Sequence, residues 1–382
     1  MTASATASAN HGPHDAGSGA SVSAVTAAAY TVPTDAPEAD GTFAWDSTTV
    51  VVVHASAAGA TGVGYTYGPA ALVGLVTGLL APAVRGADAF AVPAAAESMS
   101  RALRNVGQLG AGAYAASAVD CALWDLAARL AGLPLHDLLG AARHEVPVYG
   151  SGGFTSYTDA RLAAQLGGWR SQGIPRVKIK IGQDRGAAEA RDVERVGLAR
   201  KAVGPDVELF VDANGAYTPK QAVRIAEPLR DADVRWFEEP VSSEDLAGLR
   251  FVRERVAPDV AAGEYLTRLA EAERMCAEGA VDCLQADVTR CGGITRWLRV
   301  AAVAAAHGVG FSGHCAPAIS AAPAAAAVGL RHLEWFHDHV RLEGMLFDGT
   351  LDPAGGTIAP DADAPGNGLT LRAADAERFR VA

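Results

Sequence analysis

The chain has 382 residues, 49% hydrophobic and 20% charged, a balance that excludes global disorder. That length accommodates about two to three domains at roughly 150 residues each. A net charge of −11 argues against a nucleic-acid or anionic-membrane surface, although a metal or a local basic cluster can still draw an anionic small molecule to an acidic protein.

In chain order, residues 1–22 carry almost no large apolar side chain and read as a disordered tail. The absence of Lys or Arg before Arg85 argues against the positive region of a signal peptide. Alternating apolar runs then predict strands over 25–32, 48–54 and 61–67. Helical patterns follow over 70–84, 95–105 and 112–131, the last stopped by Gly132 and Pro134. Together, 23–140 reads as an N-terminal α+β domain. From 146 the rhythm changes to eight short apolar runs, most followed by an amphipathic stretch: 146–149, 176–181, 207–211, 234–237, 260–263, 281–286, 308–312 and 332–335. This α/β pattern predicts a (β/α) barrel over 146–335. The competing doubly wound sheet is disfavoured because the Gly-rich Tyr149-Gly150-Ser151-Gly152-Gly153 lacks the full dinucleotide fingerprint. The segment 336–382, rich in Gly, Pro and Asp, is expected to pack back on the first domain.

Two apolar stretches, 70–84 and 316–330, are broken by Gly74, Gly78 and Pro82 and by Pro317 and Pro323, so neither predicts a membrane span. The cysteines (Cys121, Cys276, Cys283, Cys291 and Cys315) are odd in number and show no CxxC spacing. They predict free thiols in a reducing cytoplasm rather than a zinc motif or a disulfide framework.

In a barrel of this kind, catalytic groups sit at the C-terminal ends of the strands. The second run ends in Lys178 and Lys180, and the third in Asp212 followed by Asn214. The fourth ends in Glu238, the fifth in Glu264 and the sixth in Asp287, while the seventh runs out to His314 and the eighth carries Glu334. Taken singly, each acid is most often a helix cap or a solvated loop residue. Asp212, Glu238 and Glu264 on adjacent strands would instead converge, and their repulsion calls for a cation. Carboxylate oxygens suit a single hard ion, Mg²⁺ in the first place, with positions left for a substrate. Only four lysines occur in the chain, and two of them alternate with Val177, Ile179 and Ile181, which turns both amines to one face. Unlike Arg, Lys can lose its proton, and a nearby ammonium and divalent cation would lower its pKa, so the pair Lys178 and Lys180 reads as supplying a general base. A lone histidine is more often a packed one; for His314 the case rests on Asp287, one strand back, which could fix its tautomer. His337 and His339 read as loop residues and His332 as preceding its strand's end, with no catalytic role for any of them.

This constellation resembles the enolase superfamily and, within it, the mandelate racemase subgroup. The resemblance runs through Val177-Lys178-Ile179-Lys180-Ile181-Gly182, Asp212-Ala213-Asn214, Glu238-Glu239-Pro240, Gly263-Glu264, Asp287 with Gly292-Gly293, the His314 segment and Glu334. It also includes the helix segment Ser117-Ala118-Val119-Asp120-Cys121-Ala122-Leu123-Trp124-Asp125-Leu126, with Leu138-Leu139-Gly140 after it. It implies a modified (β/α)7β barrel under an N-terminal capping domain. Asp212, Glu238 and Glu264 would then hold Mg²⁺, and Lys180 would take the proton beside a substrate carboxylate. A protonated Glu334 would donate a hydrogen bond, with His314 and Asp287 on the opposite face. Lys178, Asn214 and Ser151 match positions that touch the substrate. The implied reaction is dehydration of an acid sugar to a 2-keto-3-deoxy acid; the alternative is racemisation or epimerisation of a 2-hydroxy acid. A homo-oligomer is expected. Substrate selection is expected from the first-domain loops, here 34–46 with Trp45 and the turn before Tyr65 and Tyr67. Packing between domains is an equal reading of those aromatics.

Overall fold

The computed structural model describes residues 19–382. The expected tail over 1–22 lies mostly outside them, but its end does not behave as one. Ala20 and Val22 are buried, and Ser21 bridges Asp88, because these small residues fill the space beside the helical stretch 72–84.

Three antiparallel strands, β1 (Ala24–Ala39), β2 (Ala44–Ala57) and β3 (Ala60–Tyr67), open the chain. They pack on a helix over Ala111–Ala131 whose small residues let the sheet come close. The segment expected as a loop over 34–46 is the outer end of the β1–β2 hairpin, with a register shift between Pro33 and Glu38. Its turn is tied by Asp40, whose Oδ1 accepts from the Thr42 and Phe43 amides at 2.6 and 2.8 Å.

Eight parallel strands follow: β4 (Val146–Gly152), β5 (Arg176–Lys180), β6 (Glu208–Asp212), β7 (Val234–Glu238), β8 (Asp259–Ala262), β9 (Cys283–Ala286), β10 (Gly310–Gly313) and β11 (Leu330–Phe336). Each pairs with the next, and β11 pairs back on β4, closing the barrel. Alternation along the strands divides the core. Val177 and Ile179 face the surrounding helices, while Tyr149, Phe210, Trp236, Ala261 and Cys283 pack together in the lumen. His332 completes this floor, its ring 4.8 Å from Tyr149 and 5.1 Å from Trp236. A helix over His337–Leu346 leaves β11 directly, so His337 and His339 lie in its first turn rather than in a loop. After it come β12 (Phe347–Asp348), β13 (Thr357–Ile358), which pairs antiparallel with β4, and β14 (Thr370–Leu371), which pairs with β12. The remaining tail reaches the first sheet through the Tyr30–Arg380 bridge.

The two layers are joined above β9. Ser117 Oγ accepts from the Gly292 and Gly293 amides at 2.8 and 3.1 Å, Asp120 Oδ2 accepts from Thr295 N at 2.9 Å, and Trp124 donates to Thr295 Oγ1 at 2.8 Å. Gly293 has φ +80°, and a Cβ there would stand 2.4 Å from the Asp120 side chain, so only glycine allows this approach. Among the described residues no helix is long and apolar enough to cross a membrane.

Candidate active site

The C-terminal ends of the barrel strands bring together every side chain singled out in the sequence. Lys178, Lys180, Asp212, Glu238, Glu264, Asp287, His314 and Glu334 are each at most 5% exposed. The floor beneath supports them: Trp236 Nε1 and Gln285 Nε2 both donate to Glu238 Oε2 at 2.9 Å.

Lys178 Nζ lies 2.5 Å from Glu238 Oε1, 2.8 Å from Glu334 Oε1 and 3.7 Å from Asp212 Oδ2, while Lys180 Nζ is bound to Asp212 Oδ2. The expected lowering of the lysine pKa is therefore reversed here. Burial favours the neutral amines, but Glu238 and Glu334 around Lys178, and Asp212 beside Lys180, outweigh it and hold both above the usual lysine value. Glu334 is corrected in the same way. Burial would protonate it, yet Lys178, His314 and Lys180 hold its carboxyl below the ordinary range, so it is ionised rather than a neutral donor. Its Oε1 accepts from Ser151 Oγ at 2.6 Å, and its Oε2 faces His314 Nε2 at 3.4 Å.

His314 Nδ1 lies 2.8 Å from Asp287 Oδ2, the expected dyad. Asp287 Oδ1 is fixed in turn by the Thr289 amide and hydroxyl, both at 2.7 Å. Asn214, at φ +45°, donates its amide to Asp212 Oδ1 at 2.9 Å and leaves its own buried Oδ1 without a partner.

Ligand atoms of Glu238, Glu264 and His314 lie within 4.8 Å of one another. Asp212 joins no such trio among the described residues, because Lys180 and the Asn214 amide draw its carboxylate aside. The donor set nevertheless fits a hard cation. Glu264 Oε2 is buried and faces His314 Nε2 at 3.3 Å, and Glu239 Oε1 beside it is buried with no hydrogen-bond donor. Burial, with Asp212 and Glu334 adding to it and Lys178 opposing, pushes the Glu238 carboxyl up to about 7. Burial with Glu264, Asp212 and Glu238 raises Glu239 well above the carboxylate range. Glu264 differs, since its burial is outweighed by His314 and Arg290, which hold it well below the ordinary range, so the need for added positive charge comes from Glu238 and Glu239.

Several contributors were missed in the sequence. Arg290, one turn past Asp287, contacts Glu264 at 3.0 Å and Asp287 at 3.4 Å; its i+3 spacing was the available signal. Cys315 follows His314 directly and lies 3.3 Å from both His314 Nε2 and Glu334 Oε2. Glu239 was visible only as a motif letter. Trp45 donates to Glu38 at 2.9 Å and meets the Phe154 ring edge-on at 5.4 Å. Tyr65 donates to Glu343 at 2.5 Å, and Tyr67 stacks on His339 at 3.5 Å. Glu38 belongs to β1, but Phe154, Glu343 and His339 belong to the barrel domain and the helix that follows β11, so all three aromatics pack between the domains.

A closed parallel barrel beneath an antiparallel capping sheet, with these groups at its mouth, is the architecture of the enolase superfamily, and the chain belongs to it. Residues 24–140 match the mandelate racemase / muconate lactonizing enzyme N-terminal domain, and residues 160–376 match the enolase C-terminal domain-like family. A mandelate racemase/muconate lactonizing enzyme-like protein from Rubrobacter xylanophilus is 53% identical, with a TM-score of 0.92 over 94% of this chain and 100% of the other. L-talarate/galactarate dehydratase from Salmonella typhimurium is 34% identical over 65% of this chain and 62% of its own length. Its structure with Mg and L-lyxarohydroxamate superposes with a TM-score of 0.88 at 27% identity, covering 100% and 97% of the two chains. A 3,6-anhydro-alpha-L-galactonate cycloisomerase from Streptomyces coelicolor is 33% identical over 82% of this chain and 86% of its own.

Proposed function

We propose that the protein is a Mg²⁺-dependent dehydratase that converts an acid sugar to its 2-keto-3-deoxy acid. The observation carrying this reading is the placement of two proton-transfer groups on opposite sides of one mouth. Lys180 ends β5 beside Lys178, the dyad of His314 and Asp287 follows β10 and β9, and Glu334 lies between Lys178, 2.8 Å from its Oε1, and His314, 3.4 Å from its Oε2. The relative that acts on talarate and galactarate supports a sugar acid as the substrate.

Asp212, Glu238 and Glu264 would hold the ion, which supplies positive charge for a substrate carboxylate and competes with both ammonium groups for the same oxygens. With Asp212 drawn to the ion and positive charge beside it, Lys180 would release its own proton to solvent and, as the neutral amine, take the proton from the carbon beside that carboxylate, the electron pair moving into the carboxyl group. Lys178 and Asn214 lie where they can bind the substrate carboxylate, and Ser151 orients Glu334. A carboxylate arriving next to Glu334 raises its pKa toward the protonated form, which can donate a hydrogen bond to the developing charge. His314 then gives its proton to the 3-hydroxyl, which leaves as water, and the enol product becomes the ketone.

The test is a panel of aldonic and aldaric acids incubated with the enzyme and Mg²⁺ in D₂O. Keto-acid formation is expected. Deuterium uptake with inversion and no keto acid would overturn elimination in favour of racemisation or epimerisation. Lys180→Ala should lower turnover by about 10³-fold, the contribution of a general base, with Mg²⁺ affinity within about threefold of the parent. Activity retained in that variant removes the proposed base.

A further inference from the structure

The oxygen-lined cluster is not the one place in the mouth where side chains could ligate an ion. His314 Nε2, Cys315 Sγ and Glu334 Oε2 form a triangle with edges of 3.3, 3.3 and 3.4 Å, and all three residues are buried. One face of a tetrahedral zinc site with sulfur, nitrogen and oxygen ligands has edges of about 3.3–3.6 Å, given bond lengths of about 2.0–2.3 Å. Each donor is already oriented by its other contacts. Asp287 holds His314 Nδ1 at 2.8 Å, which turns the Nε2 lone pair into the triangle. Ser151 and Lys178 occupy Glu334 Oε1 at 2.6 and 2.8 Å, and the Cys315 amide donates to Oε2 at 3.2 Å, which leaves that oxygen its second lone pair for the triangle. Cysteine spacing in the sequence gave no sign of such a site, because it uses one thiol and draws its other donors from the adjacent position and from β11.

We propose that this triangle is a thiolate site for a zinc-like divalent cation, adjoining the carboxylate cluster through the shared His314 Nε2, which is 3.3 Å from Glu264 Oε2, and that its occupation silences the enzyme. The thiol proton and the Nε2 proton of the imidazolium are both released to solvent as the sulfur–metal and nitrogen–metal bonds form. A softer ion is selected here by sulfur and imidazole, whereas Mg²⁺ prefers the oxygens of Asp212, Glu238 and Glu264. Coordination takes the His314 Nε2 lone pair, so His314 can no longer move a proton while Lys180 remains free. The inhibitory consequence rests on the proposed function; the binding site does not, and its readouts need no turnover.

The experiment titrates the Mg²⁺-saturated protein with Cd²⁺ and follows the ultraviolet cadmium–thiolate charge-transfer band. One equivalent is expected to develop the band, and Cys315→Ser is expected to abolish it. The other four cysteines are buried and belong to no three-donor group among the described residues, so they offer no competing site. Zinc affinity should fall at least about 100-fold in Cys315→Ser, and about 10–100-fold in Asp287→Asn, which moves the neutral ring's proton onto Nε2. A band that persists in Cys315→Ser, or equal zinc affinity in variant and parent, overturns the site and places the ion on carboxylates or another thiol. X-ray absorption of the zinc-loaded parent needs no variant: one sulfur at about 2.3 Å supports the site, and an all-oxygen shell refutes it. Should the band appear but zinc leave keto-acid formation unchanged, the inhibitory role falls.

Discussion

Asp287→Asn tests the catalytic reading most sharply, because the structure dictates how the new amide must sit. Asp287 Oδ1 accepts from the backbone amide and the hydroxyl of Thr289 at 2.7 Å each, and Oδ2 faces His314 Nδ1 at 2.8 Å. A backbone N–H cannot reverse its polarity, whereas an imidazole can change tautomer. The asparagine oxygen therefore stays with Thr289, and its NH₂ points at His314. Nδ1 must then accept, which puts the ring proton on Nε2 in the neutral form and removes the negative charge that favours the imidazolium. A hydrogen bond to a charged group is worth about 1.5–3 kcal/mol. With the wrong tautomer added, elimination should slow about 10²–10³-fold, or roughly 2.7–4.1 kcal/mol of barrier. Proton removal by Lys180 does not use this ring. The assay follows both steps in D₂O on one substrate, keto-acid release and deuterium entry at the carbon beside the carboxylate, with exchange expected to stay within about threefold of the parent. If elimination also stays within that factor, or if both steps fall together, the division of labour between Lys180 and His314 is wrong.

Two further outcomes follow from the packing between the layers. Burial pushes the Glu343 carboxyl up to about 8, so its contribution to stability is complete below about 4.5 and is lost as pH rises toward 8. His339, pushed down to about 3 by burial, has the opposite slope below its unfolded value of 6.5. Between pH 6.5 and 8 the Glu343 slope is therefore left unopposed by His339. Over that interval the parent should lose about 2 kcal/mol relative to Glu343→Gln in chemical unfolding, and parallel curves would refute the assignment. A Cβ on Gly41 would stand 2.7–2.9 Å from the carbonyl oxygens of Ile181, Gly182 and Ala213, so Gly41→Ala must lift the hairpin tip off the mouth. About a 10–100-fold fall in kcat/KM is expected with little change in melting temperature; an unchanged kcat/KM would show that the hairpin does not shape the site.

The strand ends were legible because a barrel strand has period two and a βα unit recurs at nearly constant length. Once Lys178 and Lys180 stood at one end of β5, the spacing placed Asp212, Glu238, Asp287 and His314 at the same end of their own strands. Ionisation states were not legible. Whether Lys180 and Glu334 carry charge depends on which carboxylates and ammonium groups from other strands come within 4 Å, a property of the assembled mouth alone. The hairpin over 34–46 was read as a loop because its Pro, Gly and Asp content hides a pairing that β2 imposes from outside. Cys315 escaped because a residue inside a turn carries no periodicity to mark which way it points, and Arg290 offered only its i+3 spacing from Asp287.

The contacts of Ser117, Asp120 and Trp124 with the turn at Gly292–Thr295 fasten one edge of the roof to its wall. That roof cannot swing away as a plate, since doing so would strand the paired amides and the indole without partners. The far edge is tied more lightly, by Arg185 N to Gly41 O at 2.9 Å and by the Thr155 amide and hydroxyl to Ala39 O and Asp40 O at 2.8 and 2.7 Å. Breaking these few bonds around Asp40–Phe43 would admit cargo while the large helix stays as a fixed mount.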